Sequence, residues 1–341
     1  MEYAQEKARS RRILVICSPS RYPEGVEKNR DRASRLAQIL SDIGFDASYG
    51  CFSRLDQLVS YIETNVPDLV FSAADHLRDG EGRSINLHGW LEKRGLPYVG
   101  SKPDTIDLAL SKTSLKRKWL AAGVRTPAFA DFDASGEIDP SAIEPLVPFP
   151  CIVKPEDGGN SRGISEDSVV LDSAALAAAV SRLARDCRRI LIEHYLGFYA
   201  DFREITCACV GNGEERLLMP AELVFTTPSA IRVITTADKE EGKVEARRIE
   251  DPRMNEAAKA FADIALQVAG ARDYARCDMA FAKGRFWAIE VNGQPMVPDS
   301  WFASCARLSG LDELGYIGAI VDSAFRRQAS VSSGGEGSCS G

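Results

Sequence analysis

No run of about 18 apolar residues, the length needed to span a bilayer, occurs in the chain, and its first twelve residues lack the apolar core of a signal peptide. The expectation is a cytoplasmic protein. A dense basic stripe is also missing: Lys and Arg total 42 against 49 Asp and Glu, a formal charge of -7, with only short clusters such as Lys116-Arg117-Lys118 and Arg188-Arg189. That disfavours a nucleic-acid groove. The nine cysteines are odd in number and include no C-x-x-C pair, so they read as reduced core residues, not as a disulfide frame or zinc site. Repeats at solenoid periods are absent. What remains is an ordinary globular composition of 341 residues, 45% apolar and 27% charged, enough for two or three domains.

Both ends look loose: residues 1–10 are charged, and 330–341 offer almost nothing to bury. Between them, β-rich runs at 13–17, after Phe45 and at 68–72 alternate with helical patterns near 32–43 and 55–64, which predicts a βαβαβ unit with a parallel sheet. A helix is expected over 105–122, stopped by Gly123 and Pro127. A second kind of unit follows. It has short strands near 151–154, 169, 190–193, 204–210 and 217–225, helices near 173–185 and 255–268, and a hairpin over 273–292. The stretch 226–251 is polar, with adjacent charges and few large apolar residues, and reads as a mobile lid.

Two constellations carry chemistry. Lys154-Pro155 leads into a glycine-rich loop at 158–163, where backbone N–H groups can turn toward an anion and a lysine can neutralise a phosphate. The loop runs into a strand, so it is neither a Walker A loop nor a Rossmann turn, and a plain connector is the alternative. Asp278, Glu290 and Asn292 lie on the two arms of the hairpin among apolar neighbours, where uncompensated charge is costly and hard oxygen ligands suit Mg²⁺. A two-residue turn at Lys283-Gly284 would send the two acids to opposite faces; a three-residue turn or a bulge would set them side by side. Arg276 shares the face of Asp278 and could stabilise developing negative charge, or simply pair with one of these acids. Glu193-His194-Tyr195-Leu196 closes a strand and could follow a flat ligand, with Glu204 further on.

Five segments, LPYVGSKPDTIDLALSK at 96–112, VKPEDGGNSRGI at 153–164, LIEHYL at 191–196, REITCACVGNG at 203–213 and ARCDMAF with AIEVNGQP at 275–281 and 288–295, together resemble the ATP-grasp enzymes, and within them the D-alanine:D-alanine ligase-like group. The resemblance covers about residues 12–328 and implies an α/β chain, α+β in its C-terminal half, with an N-terminal parallel α/β domain and two ATP-grasp subdomains. Its divisions would fall at 11–104, 105–187 and 188–329, the last carrying the lid at 226–251. It further implies that Lys112 and Lys154 hold ATP phosphates, that Gly159, Asn160, Ser161 and Gly163 belong to the loop closing over them, and that Glu193, His194, Tyr195 and Leu196 form the adenine hinge, with Glu204 on the ribose. Asp278, Glu290 and Asn292 would be the Mg²⁺ ligands, Arg276 the oxyanion residue and Lys239 the γ-phosphate lysine.

The implied activity is an ADP-forming carboxylate-amine ligase that uses ATP and Mg²⁺ and acts on amino acids through an acyl-phosphate. The partners are then small amino-acid substrates, with no nucleic acid and no membrane, and a homodimer as one option for assembly. The sequence departs from the group at its substrate contacts. No acid follows the first strand before Glu24, Asn160 stands for a serine, Met296 for a glycine, and Trp301 for a small hydroxyl residue. These changes set up an expectation that the amino-acid pair is not D-alanine with D-alanine, mycosporine-type amino-acid ligases being one such kind. A standard D-alanine:D-alanine ligase and a nucleotide-binding protein without catalysis are the alternatives.

Overall fold

The computed structural model describes residues 11–19, 23–134, 146–157, 159, 161–227 and 231–334. Strands β1 (Arg12–Cys17), β2 (Asp46–Cys51) and β3 (Leu69–Ser72) pair in parallel in the order β2-β1-β3, with helices α1 (Pro23–Ile43) and α2 (Leu55–Thr64) as crossovers. The expected βαβαβ unit is present, with its first helix longer than the pattern from Arg32 suggested. β1 reads as an unbroken apolar run because both its faces are covered. Ile13 and Val15 pack with Leu36 and Leu40 of α1, while Leu14 and Ile16 pack with Leu58 and Ile62 of α2.

A short hairpin, β4 (His76–Arg78) with β5 (Ser84–Asn86), leads to α3 (Leu87–Glu92), α4 (Pro103–Leu110) and α5 (Lys112–Ala121). The single helix expected over 105–122 is therefore two. Ser111 is extended at φ -106 and ψ 101, and its hydroxyl accepts from the Ser114 N–H, which starts a new helix at Lys112.

Two antiparallel sheets follow. The first, in the order β6-β9-β7-β8, is built from β6 (Phe129–Asp133), β7 (Cys151–Pro155), β8 (Val169–Val170) and β9 (Arg189–His194), with α6 (Ser173–Leu183) packed on it. The second has the order β12-β11-β10-β13-β14. It contains β10 (Arg203–Val210), β11 (Leu217–Phe225), β12 (Val244–Arg247), β13 (Tyr274–Ala282) and β14 (Arg285–Asn292). Helix α7 (Thr236–Glu240) precedes β12 and α8 (Pro252–Ala269) follows it. The stretch 226–251, expected as a polar lid, thus contains a helix and an edge strand; the Thr235 hydroxyl and Asp238 cap each other's main chain across that helix start.

Small residues Ala258, Ala262 and Ala265 let α8 lie close on Cys207, Cys277 and Met279 of the sheet, all fully buried. The eight cysteines among the described residues are all free thiols, as the sequence reading expected. Helices α9 (Trp301–Leu308) and α10 (Glu313–Gly334) complete the described chain. α10 runs into the segment expected as a loose tail, and residues 335–341 lie outside the described residues, as do 1–10.

α10 also fastens distant parts together. Asp273, 0% exposed, accepts from Arg327 Nε at 2.9 Å and Nη2 at 2.8 Å, from Asn212 at 2.9 Å and from the Gly100 N–H at 2.8 Å, while Arg327 Nη2 also reaches the Tyr98 carbonyl at 2.7 Å. One buried carboxylate joins the segment between α3 and α4, the second sheet and the last described helix. No helix among the described residues is long and apolar enough to cross a membrane.

Candidate active site

Residues from both antiparallel sheets and the start of α5 line one cleft of about 180 Å³. Its cationic end is built by Glu156, just past β7. This buried carboxylate accepts from the Ser111 hydroxyl at 2.7 Å and the Thr113 N–H at 3.1 Å, so it caps α5 from a strand 45 residues away. Lys112 Nζ in turn donates to the Glu156 carbonyl at 3.4 Å. Lys112 and Lys154, 8% and 6% exposed, therefore line the same cleft from separate elements. Burial lowers the Lys112 pKa, and the like charge of Lys154 adds to that while Glu290 opposes it.

Beneath them lies a group that the sequence did not single out for chemistry. Lys116, one turn after Lys112 and 0% exposed, places Nζ 2.7 Å from Glu193 Oε2, and Lys154 Nζ stands 3.3 Å from the same oxygen. Lys116 also donates to Thr126 Oγ1 at 2.7 Å, which donates to the Ala288 carbonyl at 2.8 Å. Burial pulls the Lys116 ammonium down to about 8, against Glu193. Burial disfavours charge on Glu193 too, yet the two lysines outweigh it and hold the carboxyl below its ordinary value. The helical spacing of Lys112 and Lys116 was the available signal, since residues four apart share one face.

Of the loop, Gly159, Ser161 and Gly163 are described; Asn160 lies outside the described residues. Ser161 and Gly163 are left-handed, φ 57 and 70, and a Cβ on Gly163 would come within 3.0 Å of Pro155 and 3.2 Å of Leu183. Only glycine fits there. Lys239 is brought to the cleft by α7 and donates to Ser161 Oγ at 2.8 Å, tying the stretch 226–251 to the loop. Glu193, His194, Tyr195 and Leu196 line the far wall with Phe202 and Arg232. His194 is held by the Pro148 carbonyl at 2.8 Å and the Tyr199 hydroxyl at 3.1 Å.

The anionic side rests on the hairpin register. Ala282 faces Arg285 across a two-residue turn, with Lys283 and Gly284 both left-handed at φ 56 and 67. That turn alone would set Asp278 against Ile289. A bulge between Asp278 and Met279 restores the pairing of Asp278 with Glu290, so the side-by-side register is the one present. Arg276 grips Asp278 with two bonds, 2.9 and 2.7 Å, Thr206 donates to it at 2.6 Å and Asn292 Nδ2 at 3.2 Å. Burial opposes ionisation of Asp278, and Arg276 and Thr206 overcome it, keeping the carboxyl below its usual range. Glu204 enters from β10. Burial, with the negative charge of Asp278 next, pushes it up to about 8 despite Lys239.

Asp278, Glu290 and Glu204 thus share one low-dielectric cleft in which Asp278 already engages Arg276. This acid set suits a hard cation, and two carboxylates with an amide leave the remaining positions of a Mg²⁺ to phosphate and water oxygens. Among the described residues no group of three or more His, Cys, Asp or Glu is placed to hold a metal ion by itself, so an ion here would need ligands from outside the protein. The residues present fit Mg²⁺ shared with a phosphate ligand.

Two expected substrate residues separate. Trp301 lines this cleft, whereas Met296, 46% exposed, lines a smaller cavity of about 40 Å³ next to it. The side chains at 20–26, including Glu24, lie outside the described residues.

Residues 119–322 match the family described as D-ala D-ala ligase C-terminus. Relatives include the D-alanine–D-alanine ligase of Chromohalobacter salexigens, 32% identical over 82% of this chain and 82% of that protein. The enzyme of the same name from Moorella thermoacetica is 29% identical over 86% and 93% of the two chains. Among solved structures, the D-alanine–D-alanine ligase of Bacillus anthracis superposes with a TM-score of 0.75 at 19% identity, covering 94% of this chain and 99% of that one. The same ligase complexed with ATP gives 0.74.

Proposed function

We propose, from the premise that the chain belongs to the D-ala D-ala ligase family and has the ATP-grasp α/β fold, that its cleft is the active site of an ADP-forming ligase that makes a C–N bond between two amino acids. The observation that carries this reading is the convergence in one cleft of Lys112, Lys154 and Lys239 opposite Asp278, Glu290 and Arg276. In the first step a substrate carboxylate oxygen attacks the γ-phosphorus of ATP, ADP leaves and an acyl-phosphate forms. An amine then attacks the acyl carbon, phosphate departs and the nitrogen loses a proton. Lys112 and Lys154 would neutralise the phosphates from two elements, Lys239 would follow the transferred group, and the wall from Glu193 to Leu196 would take the base with Glu204 toward the sugar. Mg²⁺, held by Asp278, Glu290 and Asn292, would supply charge neutralisation at the phosphate oxygens. Arg276 would face charge developing at the acyl carbon's oxygen. The partition at 104/105 and 187/188 belongs to the same reading, with the cleft between the last two units.

For the substrates, the names of the relatives favour the standard enzyme, with D-alanine on both sides, over the different pair that the sequence departures suggested. A second reading keeps one D-alanine and changes the other, and rests on the Trp301 indole in the cleft wall. Phosphate release with D-alanine, compared with a panel of single and paired amino acids and mass spectrometry of the products, decides between them. Release with D-alanine alone that yields the dipeptide supports the first; release only with mixed pairs supports the second.

A further inference from the structure

The smaller cavity of about 40 Å³ lies where the C-terminal ends of β1 and β3 meet α1 and the segment after β14, outside the strand ends where parallel α/β sheets commonly bind ligands. It shares a face of β13 with the main cleft. Tyr274 lines the cavity, while Arg276 and Asp278, two and four residues on, line the cleft. At about 3.3 Å per residue, a group in the cavity sits roughly 7 Å beyond the Arg276 position.

Two of its lining residues each carry a buried polar atom that lacks a partner among the described residues. Arg32 Nε and Gln294 Oε1 are both inaccessible to solvent and neither has a hydrogen-bond partner. Gln294 Nε2 donates to the Ser72 carbonyl, which fixes the amide so that its oxygen is the atom left over. Arg32 makes one long contact, Nη1 to Asn29 Oδ1 at 3.4 Å, and no ion pair. Its helix neighbour Arg35 shows the usual outcome, bound to both Asp299 at 2.8 Å and Glu313 at 2.6 Å. Arg32 is the one charged side chain among the described residues lining the cavity. Buried donors and acceptors are nearly always paired, so an unmatched guanidinium and an unmatched amide in the lining of one cavity mark a place for a ligand that offers an anion to one and an N–H to the other.

We infer that this cavity recognises the side-chain carboxylate of an acidic amino acid. The substrate's distal carboxylate lies against Arg32, its ammonium donates to Gln294 Oε1, and its α-carboxylate reaches back along β13 to the reacting position beside Arg276. The span suits the aspartate and glutamate class and leaves alanine without a partner for Arg32. This assignment rests on the ligase reading for the direction of the α-carboxylate, but not on D-alanine as either substrate.

The test is calorimetric binding of aspartate, glutamate and alanine, each in both hands, to the whole protein with Mg²⁺ and a non-hydrolysable ATP analogue. At least one acidic amino acid should bind tenfold or more tighter than alanine of the same hand. Arg32→Gln should erase that preference, Arg32→Lys should keep part of it, and Gln294→Leu should weaken binding of all amino acids alike. Alanine binding as tightly as every acidic amino acid, or a preference that survives Arg32→Gln, overturns the inference. Should Arg32→Gln not fold, an Arg32→Lys variant with unchanged selectivity and affinity together with a silent Gln294→Leu does the same. Phosphate release by the parent separates the two readings: acidic amino acids that bind without eliciting release count against the ligase, while efficient D-alanine ligation with no acidic preference counts against this assignment alone.

Discussion

Cations lie both in the lysine cluster of the cleft and in the N-terminal unit, and their circumstances are opposite. In the first, Lys116 and Lys154 share a single carboxylate oxygen of Glu193, with Thr126 completing the set. In the second, Arg32 has no carboxylate partner among the described residues. A buried cation matched by a protein anion fixes geometry, because removing either partner strands the other in a medium that solvates charge poorly. A cation left unmatched has that interaction still to make. The contrast assigns Lys116 to positioning and Arg32 to recognition.

The severest way to break that contrast is Lys116→Met. Loss of one partner of a buried pair costs about 3–5 kcal/mol, and because Lys154 stays near Glu193 the lower end applies. Urea unfolding should show the loss; a change below about 1 kcal/mol would mean that Lys116 anchors nothing. Asp278→Asn should also lose stability, because it takes the countercharge from Arg276, and should cut phosphate release by roughly 10²-fold or more, the scale of removing one preorganised electrostatic contact. Activity within a few-fold of the parent would move the reaction elsewhere in the cleft. Lys154→Ala is a milder change, a charge-assisted contact of about 1.5–3 kcal/mol, so ATP affinity should fall roughly tenfold or more. Equal affinity by calorimetry would reduce the glycine-rich loop to a connector.

A different kind of effect is one of pH. Glu204 carries a folded pKa raised from 4.5 to about 8, so the folded state prefers its protonated form. Its contribution to stability is complete below the unfolded value and is lost as pH rises through the folded one. Glu204→Gln cannot ionise. Its melting temperature should therefore gain on the parent between pH 4.5 and about 8 and then run parallel to it. A constant offset across that window would show that the carboxyl is not strained by its surroundings.

Legibility in the sequence followed the range of the forces involved. Runs such as 13–17 and 203–210 announce themselves because neighbouring side chains enforce the strand. β6 escaped notice since Asp131 and Asp133 interrupt it, and Asp131 is neutralised only in space, by Arg117 and Arg189 at 2.6 Å each. The break at Ser111 was invisible for a like reason, because half of its cap is Glu156. In the site, residue types were readable and pairings were not. The acids of the hairpin could be named, but their register hung on a bulge that no residue type signals, and Arg276 was equally placed to meet a substrate or grip Asp278. Lys116 looked like a member of a surface cluster until Glu193 arrived beneath it. The orphaned Arg32 is readable only by counting partners in three dimensions.

The carboxylate of Asp273 also has a place in time. A ribosome adding about 5–20 residues per second emits Arg327, 54 residues later, some 3–11 s after Asp273, and the Tyr98 carbonyl that the same guanidinium binds lies 229 residues before Arg327. Until then the nascent chain holds a carboxylate with its N–H partners at Gly100 and Asn212 but no countercharge. Closure of the molecule is thus deferred to one of the latest helices to be translated, and a chain released before Arg327 lacks the cation that makes burying Asp273 worthwhile.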